Sequence, residues 1–90
     1  MKKAVITVIG IDKKGIIARV SAKMLEHDAN ILDISQTVVS GLFNMVLIAD
    51  ISSENCVFDQ LSSALREVGE NMGLQIRVQR SEIFEAMHQV

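Results

Sequence analysis

The segment from Val8 to Val20, VIGIDKKGIIARV, carries the residues whose types and spacing are best suited to binding a ligand. An apolar run ends at Gly10, a charged loop follows, and a helical pattern starts directly after Gly15. Strand, glycine-bounded loop and helix is a layout that holds phosphates, because the first N–H groups of a helix are unpaired. A phosphate loop also needs a lysine and a hydroxyl after its second glycine. Ile16 and Ile17 occupy those positions, which disfavours a nucleotide.

The same loop offers a site for a smaller anion. Lys13 and Lys14 flank the start of the predicted helix, where free N–H groups and the positive end of the helix dipole stabilise a carboxylate. The alternative interpretation is purely structural, with Asp12 capping the helix and both lysines solvated. The residues by themselves leave both interpretations open.

The other reactive residue types form no recognisable site. His27 and His88 are the only histidines and Cys56 is the only cysteine, so the sequence shows no set of three or four metal ligands and no internal disulfide. No histidine lies near Cys56 in the sequence, so Cys56 is expected to be a small, buried or half-buried side chain rather than a nucleophile. Asp33 and Asp50 are expected on a solvated sheet face. The sequence therefore predicts no catalytic residue, no metal and no cofactor.

Two predicted elements position the loop. Val and Ile dominate KAVITVIG, residues 3–10, as in a strand buried in the middle of a sheet. From Ile16 onward the apolar residues recur on one side of a helix, for which Asp12 is the predicted N-cap. The helix should end at HDAN, where Asp28 or Asn30 can adopt the left-handed conformation.

A hairpin is predicted on either side of Ser40 and Gly41. Pairing residue 39 with residue 42 makes one face apolar except for Gln36, and this face should pack on the core. Its predicted pairs are Val38 with Phe43, Gln36 with Met45, Ile34 with Leu47, and Leu32 with Ala49. The opposite face is mixed, so we expect it to be partly solvated.

The remaining segments complete a βαββαβ order. A second helix should be capped by Ser52 or Ser53 and should bury Val57, Leu61, Leu65, Val68 and Met72. LQIRVQ, residues 74–79, alternates as a half-buried strand. We predict one ferredoxin-like α+β domain over residues 1–80, with an antiparallel sheet of order 4-1-3-2, both helices on one face, and a helical tail over 81–90. Strands two and four are exposed edges, and a homodimer that pairs strand two or the helices would cover them.

Composition narrows the class of protein. A chain of 90 residues that is 49% hydrophobic makes one folded domain. Nine basic against eleven acidic residues give a net charge of −2, which disfavours a nucleic-acid partner. The apolar runs fall short of the roughly 18 residues that span a membrane, and AVITVI is not followed by a cleavage site. We expect a cytoplasmic protein without a membrane partner.

Two motifs at a defined spacing resemble the ACT domain, a small regulatory module of amino-acid metabolism. ACT domains carry a loop like G-x-D-x-x-G-[IVL] before the first helix and N-I-x-D-I on the second strand. The matching residues are Gly10, Asp12, Gly15, Ile16 and the segment NILDI over 30–34. The similarity covers about residues 3–80. It looks closest to short stand-alone prokaryotic ACT proteins of unknown function, and is also similar to the ACT halves of glycine-cleavage regulators.

The resemblance implies a dimer that binds an amino acid or similar small molecule between the first loop of one subunit and the start of strand two of the other. The ligand-binding residues it implies are Gly10, Ile11, Asp12, Lys13, Lys14, Gly15, Ile16, Asn30 and Leu32. Lys14 stands where many ACT loops have proline, and Asp28 where many have glycine. The leading hypothesis is a non-enzymatic sensing module. The alternative is an adaptor that docks a metabolic enzyme or regulator without binding a small ligand.

Overall fold

Six elements in the order βαββαβ make up the computed structural model, which describes residues 1–81. They are β1 (Lys3–Ile11), α1 (Ile16–Glu26), β2 (Asn30–Val39), β3 (Leu42–Asp50), α2 (Phe58–Met72) and β4 (Leu74–Arg80). The strands form one antiparallel sheet in the order β2-β3-β1-β4, which is the predicted order 4-1-3-2 seen from the other edge. The predicted ferredoxin-like fold is confirmed. The predicted helical tail lies outside the described residues from residue 82 onward.

The core lies between the helices and one face of the sheet. β1 supplies its centre, since Ala4, Ile6 and Val8 are fully buried on the side that faces the helices. Apolar residues three and four positions apart turn one side of each helix onto the sheet. These helix residues are Ile16, Val20, Met24, Leu61, Leu65, Val68 and Met72. Within residues 1–81, no helix is long and apolar enough to cross a membrane.

α1 does not start as predicted. Its N-cap is Gly15, with a φ of 87°, and no side chain caps the helix. Asp12 lies earlier in the loop, and its backbone N–H donates to the Gly41 carbonyl at 2.9 Å. The prediction that Asp12 caps α1 is wrong, because the cap position is left-handed, which favours glycine, and glycine has no side-chain oxygen. The loop is instead attached to the β2–β3 hairpin.

The hairpin turn matches its prediction. Ser40 and Gly41 have φ values of 52° and 79°, and a type I′ turn requires positive φ at both positions. The predicted register holds from the Val39–Leu42 pair through the Asp33–Ile48 pair. Val38 therefore lies opposite Phe43, at the end of the sheet where the loop is attached.

A β-bulge changes the register at the other end of β2. The shift lies between Ile31 and Asp33, so that Ile31 and not Leu32 is opposite Ala49. The predicted pairing of Leu32 with Ala49 is wrong, because the bulge inserts one residue that has no partner and exchanges the two faces of the strand. Leu32 is 42% exposed, whereas Ile31 packs against the core.

β2 is an edge strand whose apolar side is largely uncovered in the single chain. Phe43, Met45 and Leu47 on β3 are buried, as predicted, but their neighbours on β2 are not. Ile34 is 41% exposed and Val38 is 54% exposed. The prediction that this side of β2 packs on the core is wrong, because the buried core is built on β1, β3 and β4 and ends before β2.

α2 also begins differently from the prediction. Its first residue is Phe58, its N-cap is Val57, and no side chain caps it. The Ser53 hydroxyl donates instead to the carboxylate of Asp28, which has the left-handed conformation predicted for the end of α1, with a φ of 56°. The predicted serine cap and the predicted burial of Val57 are therefore wrong, and Val57 is 46% exposed.

Candidate ligand-binding site

A groove beside the β1–α1 loop brings several of the predicted ligand-binding residues together. It lies between the first turn of α1 and the helix-facing side of β2 and β3, and its volume is about 340 Å³. That volume is within the range of small-molecule sites. We call it the loop groove, and it is lined by Asp12, Lys13, Gly15, Ile16, Ile17, Ala18, Gln36, Val38 and Phe43.

Free hydrogen-bond donors lie at one end of the loop groove. The first helical hydrogen bond of α1 runs from the Arg19 N–H to the Gly15 carbonyl at 3.0 Å. Within residues 1–81, the N–H groups of Ile16, Ile17 and Ala18 have no protein acceptor, because no side chain caps the helix. Three unpaired N–H groups and the helix dipole make this end suitable for a carboxylate or another small anion.

Gly15 leaves the approach to these donors open. No atom lies within 4 Å of the position that a Cβ atom would take there, so the backbone borders open space. Its φ of 87° strains any residue that has a Cβ atom. The glycine therefore combines a conformation that starts the helix with unobstructed access to its first turn.

Lys13 holds the loop against a different helix. Its ammonium group donates to the Met72 carbonyl at 2.5 Å, at the C-terminal end of α2. A cation near the C-terminal end of a helix pairs with unsatisfied carbonyl groups and with the negative end of the dipole. Lys13 thus borders the loop groove while its charge stabilises the packing of the loop on α2.

We expect Lys13→Met to lower the free energy of unfolding by about 1–2 kcal/mol, because it removes a hydrogen bond made by a charged group. Urea unfolding of the two variants Lys13→Met and Lys14→Met measures this. Lys14 is exposed and makes no hydrogen bond or ion pair within residues 1–81, so its replacement is the matched control and should change stability little. Equal losses in both variants would show that the Lys13 contact contributes nothing.

Three of the predicted residues, two at the end of β1 and one in the loop, do not line the groove. Gly10 permits close packing at β4, since a Cβ atom there would be 2.5 Å from the Leu74 Cδ2 atom and 3.2 Å from the Gly73 carbonyl oxygen. Ile11 is 71% exposed and lies on β1 opposite Leu42. Lys14 is exposed.

The structure does not bring Asn30 and Leu32 to the loop within one chain. Asn30 is the first residue of β2 and lies opposite Asp50, whereas Val38 lies at the loop end of the strand. Val38 lies eight positions along the strand from Asn30, a distance of roughly 25 Å at about 3.3 Å per residue. Only a second chain can place an Asn30 or a Leu32 beside the loop groove.

The sequence did not identify Ile17, Ala18, Gln36, Val38 and Phe43 as site residues. A signal was present for Gln36, which is the one polar residue on an otherwise apolar side of the predicted hairpin. The structure places it opposite Met45 with its side chain exposed. Its carboxamide makes no hydrogen bond within residues 1–81, so it is available to a ligand.

Cys56 and Asp50 lie at the end of the sheet opposite the loop groove, and both interact with groups of the fold itself. Burial, with smaller contributions from the charges of Asp28 and Asp50, raises the pKa of the Cys56 thiol, so the thiol remains protonated near neutral pH. Hydrogen bonds from the Ser52 hydroxyl and the Ser52 N–H lower the pKa of Asp50. Among the described residues, no group of three or more His, Cys, Asp or Glu side chains could hold a metal ion.

A cavity of about 420 Å³ also lies at that end, beside Lys2, Ser53, Glu54 and Arg80. The Glu54 carboxylate opposes the two cationic groups, and the Arg80 guanidinium is stacked on the Phe58 ring at 4.5 Å from its centroid. The cavity therefore presents both positive and negative charges to a ligand. The loop groove, by contrast, has N–H donors at the start of α1 and apolar side chains on both its helix wall and its sheet wall.

The family follows from comparison with known proteins. A model of the ACT domain matches residues 2–79. The chain belongs to the ACT domain family. A UPF0237 protein of Bifidobacterium longum is 46% identical to it over 90 residues, which is the whole of both chains. The resemblance deduced from the two motifs is confirmed.

Two solved structures place this ACT domain among its neighbours. An ACT domain protein from Streptococcus pneumoniae is 39% identical, covers 93% of this chain and 94% of its own, and superposes with a TM-score of 0.80. The regulatory subunit of aspartate kinase from Thermus thermophilus is 24% identical, covers 87% of this chain and 51% of its own, and has a TM-score of 0.68, so it shares the fold. ACT domains are commonly regulatory modules that bind ligands.

Proposed function

We propose that this ACT domain is a non-enzymatic sensing module, a homodimer that binds a small amino-acid-like ligand in the loop groove. The observation that carries the proposal is the groove itself, which has three unpaired N–H groups at one end and an apolar wall beside them. The ligand carboxylate would accept hydrogen bonds from these N–H groups. The Asp12 carboxylate and the Gln36 carboxamide border the same groove and are available to an ammonium group.

The exposed edge of β2 supports the homodimer. Leu32, Ile34 and Val38 are 41–54% exposed on this edge strand, and an uncovered apolar edge favours addition of another strand. In an antiparallel pair of two β2 strands, the two-fold axis passes near the middle of the strand, close to Ile34. The partner's Asn30 then lies near Val38, which lines the loop groove.

In this arrangement, residues of two chains form each ligand-binding site. The loop, α1 and the end of the hairpin come from one chain, and the start of β2 comes from the other. It accounts for the distance between the two motifs within one chain, since the motifs meet only across the axis. The relative from Thermus thermophilus is itself a regulatory subunit, which supports a regulatory role for the same fold here.

A thermal-shift panel of the twenty amino acids and the common purines tests the proposal. A ligand at 100 times its Kd stabilises a protein by about 2.7 kcal/mol, which corresponds to a rise in Tm of about 10 °C or more for a domain of this size. At least one amino acid should produce such a rise. If no compound changes the Tm, the sensing function is wrong.

The open face of the sheet favours a second candidate function, docking of a metabolic enzyme or regulator. On this face Ile11 is 71% exposed and Val39 is 63% exposed, and both lie beside Leu42. An adaptor would show no response to small ligands. It would copurify with a partner protein that is lost when Thr37 or Asn44, which are paired on this face, is replaced by tryptophan.

A further inference from the structure

We infer that the loop groove selects a ligand whose side chain is aliphatic and uncharged, an inference that rests on the proposed function. Beyond the three N–H groups, the groove is walled by Ile17 and Ala18 on α1 and by Val38 and Phe43 on the sheet. The charged residues of the lining, Asp12 and Lys13, belong to the loop before α1, and the Lys13 ammonium group is engaged by the Met72 carbonyl. The walls formed by α1 and by the sheet therefore have no charged partner for a ligand side chain.

The one polar group of that wall limits what it can accept. Gln36 is the only carboxamide in the lining, and its neighbours along the strand on the same side are Ile34 and Val38. A polar ligand side chain placed against Val38 and Phe43 would lose its water and gain at most two neutral partners, Gln36 and, in the proposed dimer, the partner's Asn30. Polar groups left unpaired there cost binding free energy. A charged side chain would lose more, because burial of an unpaired charge is the most costly case.

Titration with amino acids of similar shape and different polarity tests this inference separately from the proposed function. Isothermal titration of the full chain with leucine, asparagine and aspartate compares three side chains of nearly the same size, and valine and threonine form a second pair. Leucine should bind at least tenfold more tightly than asparagine or aspartate, and valine more tightly than threonine. If asparagine or aspartate binds as tightly as leucine, the inference is wrong and the proposed function stands. If none of these and no other amino acid binds, the proposed function fails and the inference fails with it.

A pair of adjacent variants tests the wall directly. Val38→Thr keeps the shape of the side chain and its preference for a strand, but places a hydroxyl group in the groove. Val39→Thr is the matched control, because Val39 is the next residue of the same edge strand, is 63% exposed, and does not line the groove. We expect Val38→Thr to weaken the binding of leucine about fivefold to tenfold while Val39→Thr leaves it unchanged. Equal affinities in the two variants would overturn the assignment of Val38 to the ligand wall.

Discussion

Ile34→Lys should convert the proposed homodimer to a monomer. Ile34 is 41% exposed near the middle of β2, where the proposed two-fold axis places the two copies of this residue close together. The substitution removes the burial of two apolar side chains and brings two ammonium groups together, with a total cost of about 3 kcal/mol or more. The dissociation constant of the dimer should therefore rise at least about 100-fold. Analytical ultracentrifugation over a range of concentrations measures this change.

Val46→Lys is the control for this prediction. Val46 is 45% exposed, close to the exposure of Ile34, but it lies on β3 inside the sheet and does not line the loop groove. The dimer should persist in this variant. A protein that remains dimeric as Ile34→Lys and dissociates as Val46→Lys would place the interface on the open face of the sheet instead of at the β2 edge.

Gly15→Ala should abolish the response to the ligand at an ordinary cost in stability. The left-handed conformation of residue 15 makes any Cβ atom unfavourable by about 1–2 kcal/mol. The new methyl group would project into open space beside the first N–H groups of α1, where the ligand must approach. We expect a loss of at least tenfold in affinity, measured by titration at a temperature at which the variant is fully folded.

Gly41→Ala separates the loss of binding from the loss of stability. Gly41 has a φ of 79° and also has no atom within 4 Å of its missing Cβ position, so the backbone strain is matched. It lies in the hairpin turn and does not line the groove. Both variants should unfold more easily, and only Gly15→Ala should fail to bind. Equal affinities would mean that Gly15 contributes to folding alone.

The sequence was sufficient for features determined by neighbouring residues. The Ser40–Gly41 turn and the register beside it follow from local turn chemistry and from alternation, and both are confirmed. The loop motif identified Asp12, Gly15 and Ile16 as residues of one site, and the structure places all three on one groove. The cap of α1 was misassigned because Asp12 is the better cap by residue type, whereas the backbone conformation selects Gly15.

Features that depend on contacts between residues far apart in the chain could not be predicted from the sequence. The bulge at Leu32 follows another apolar residue, Ile31, and the sequence pattern does not say which of the two faces the core. Periodicity identified the apolar side of β2, but it does not say whether the chain's own helices or a second chain covers that side. The hydrogen bond from Lys13 to Met72 joins residues 59 positions apart, and spacing along the chain cannot predict it.

The central claim is that each site combines the loop of one chain with the start of β2 of the other, and mixing two inactive variants tests it most directly. In a heterodimer of Gly15→Ala and Asn30→Ala chains, one site carries both substitutions and the other carries neither. Neither variant should bind ligand alone, and an equal mixture refolded together should recover about a quarter of the wild-type number of sites, with wild-type affinity. If Asn30→Ala binds ligand as the wild type does, or if the mixture recovers no sites, the shared site is contradicted.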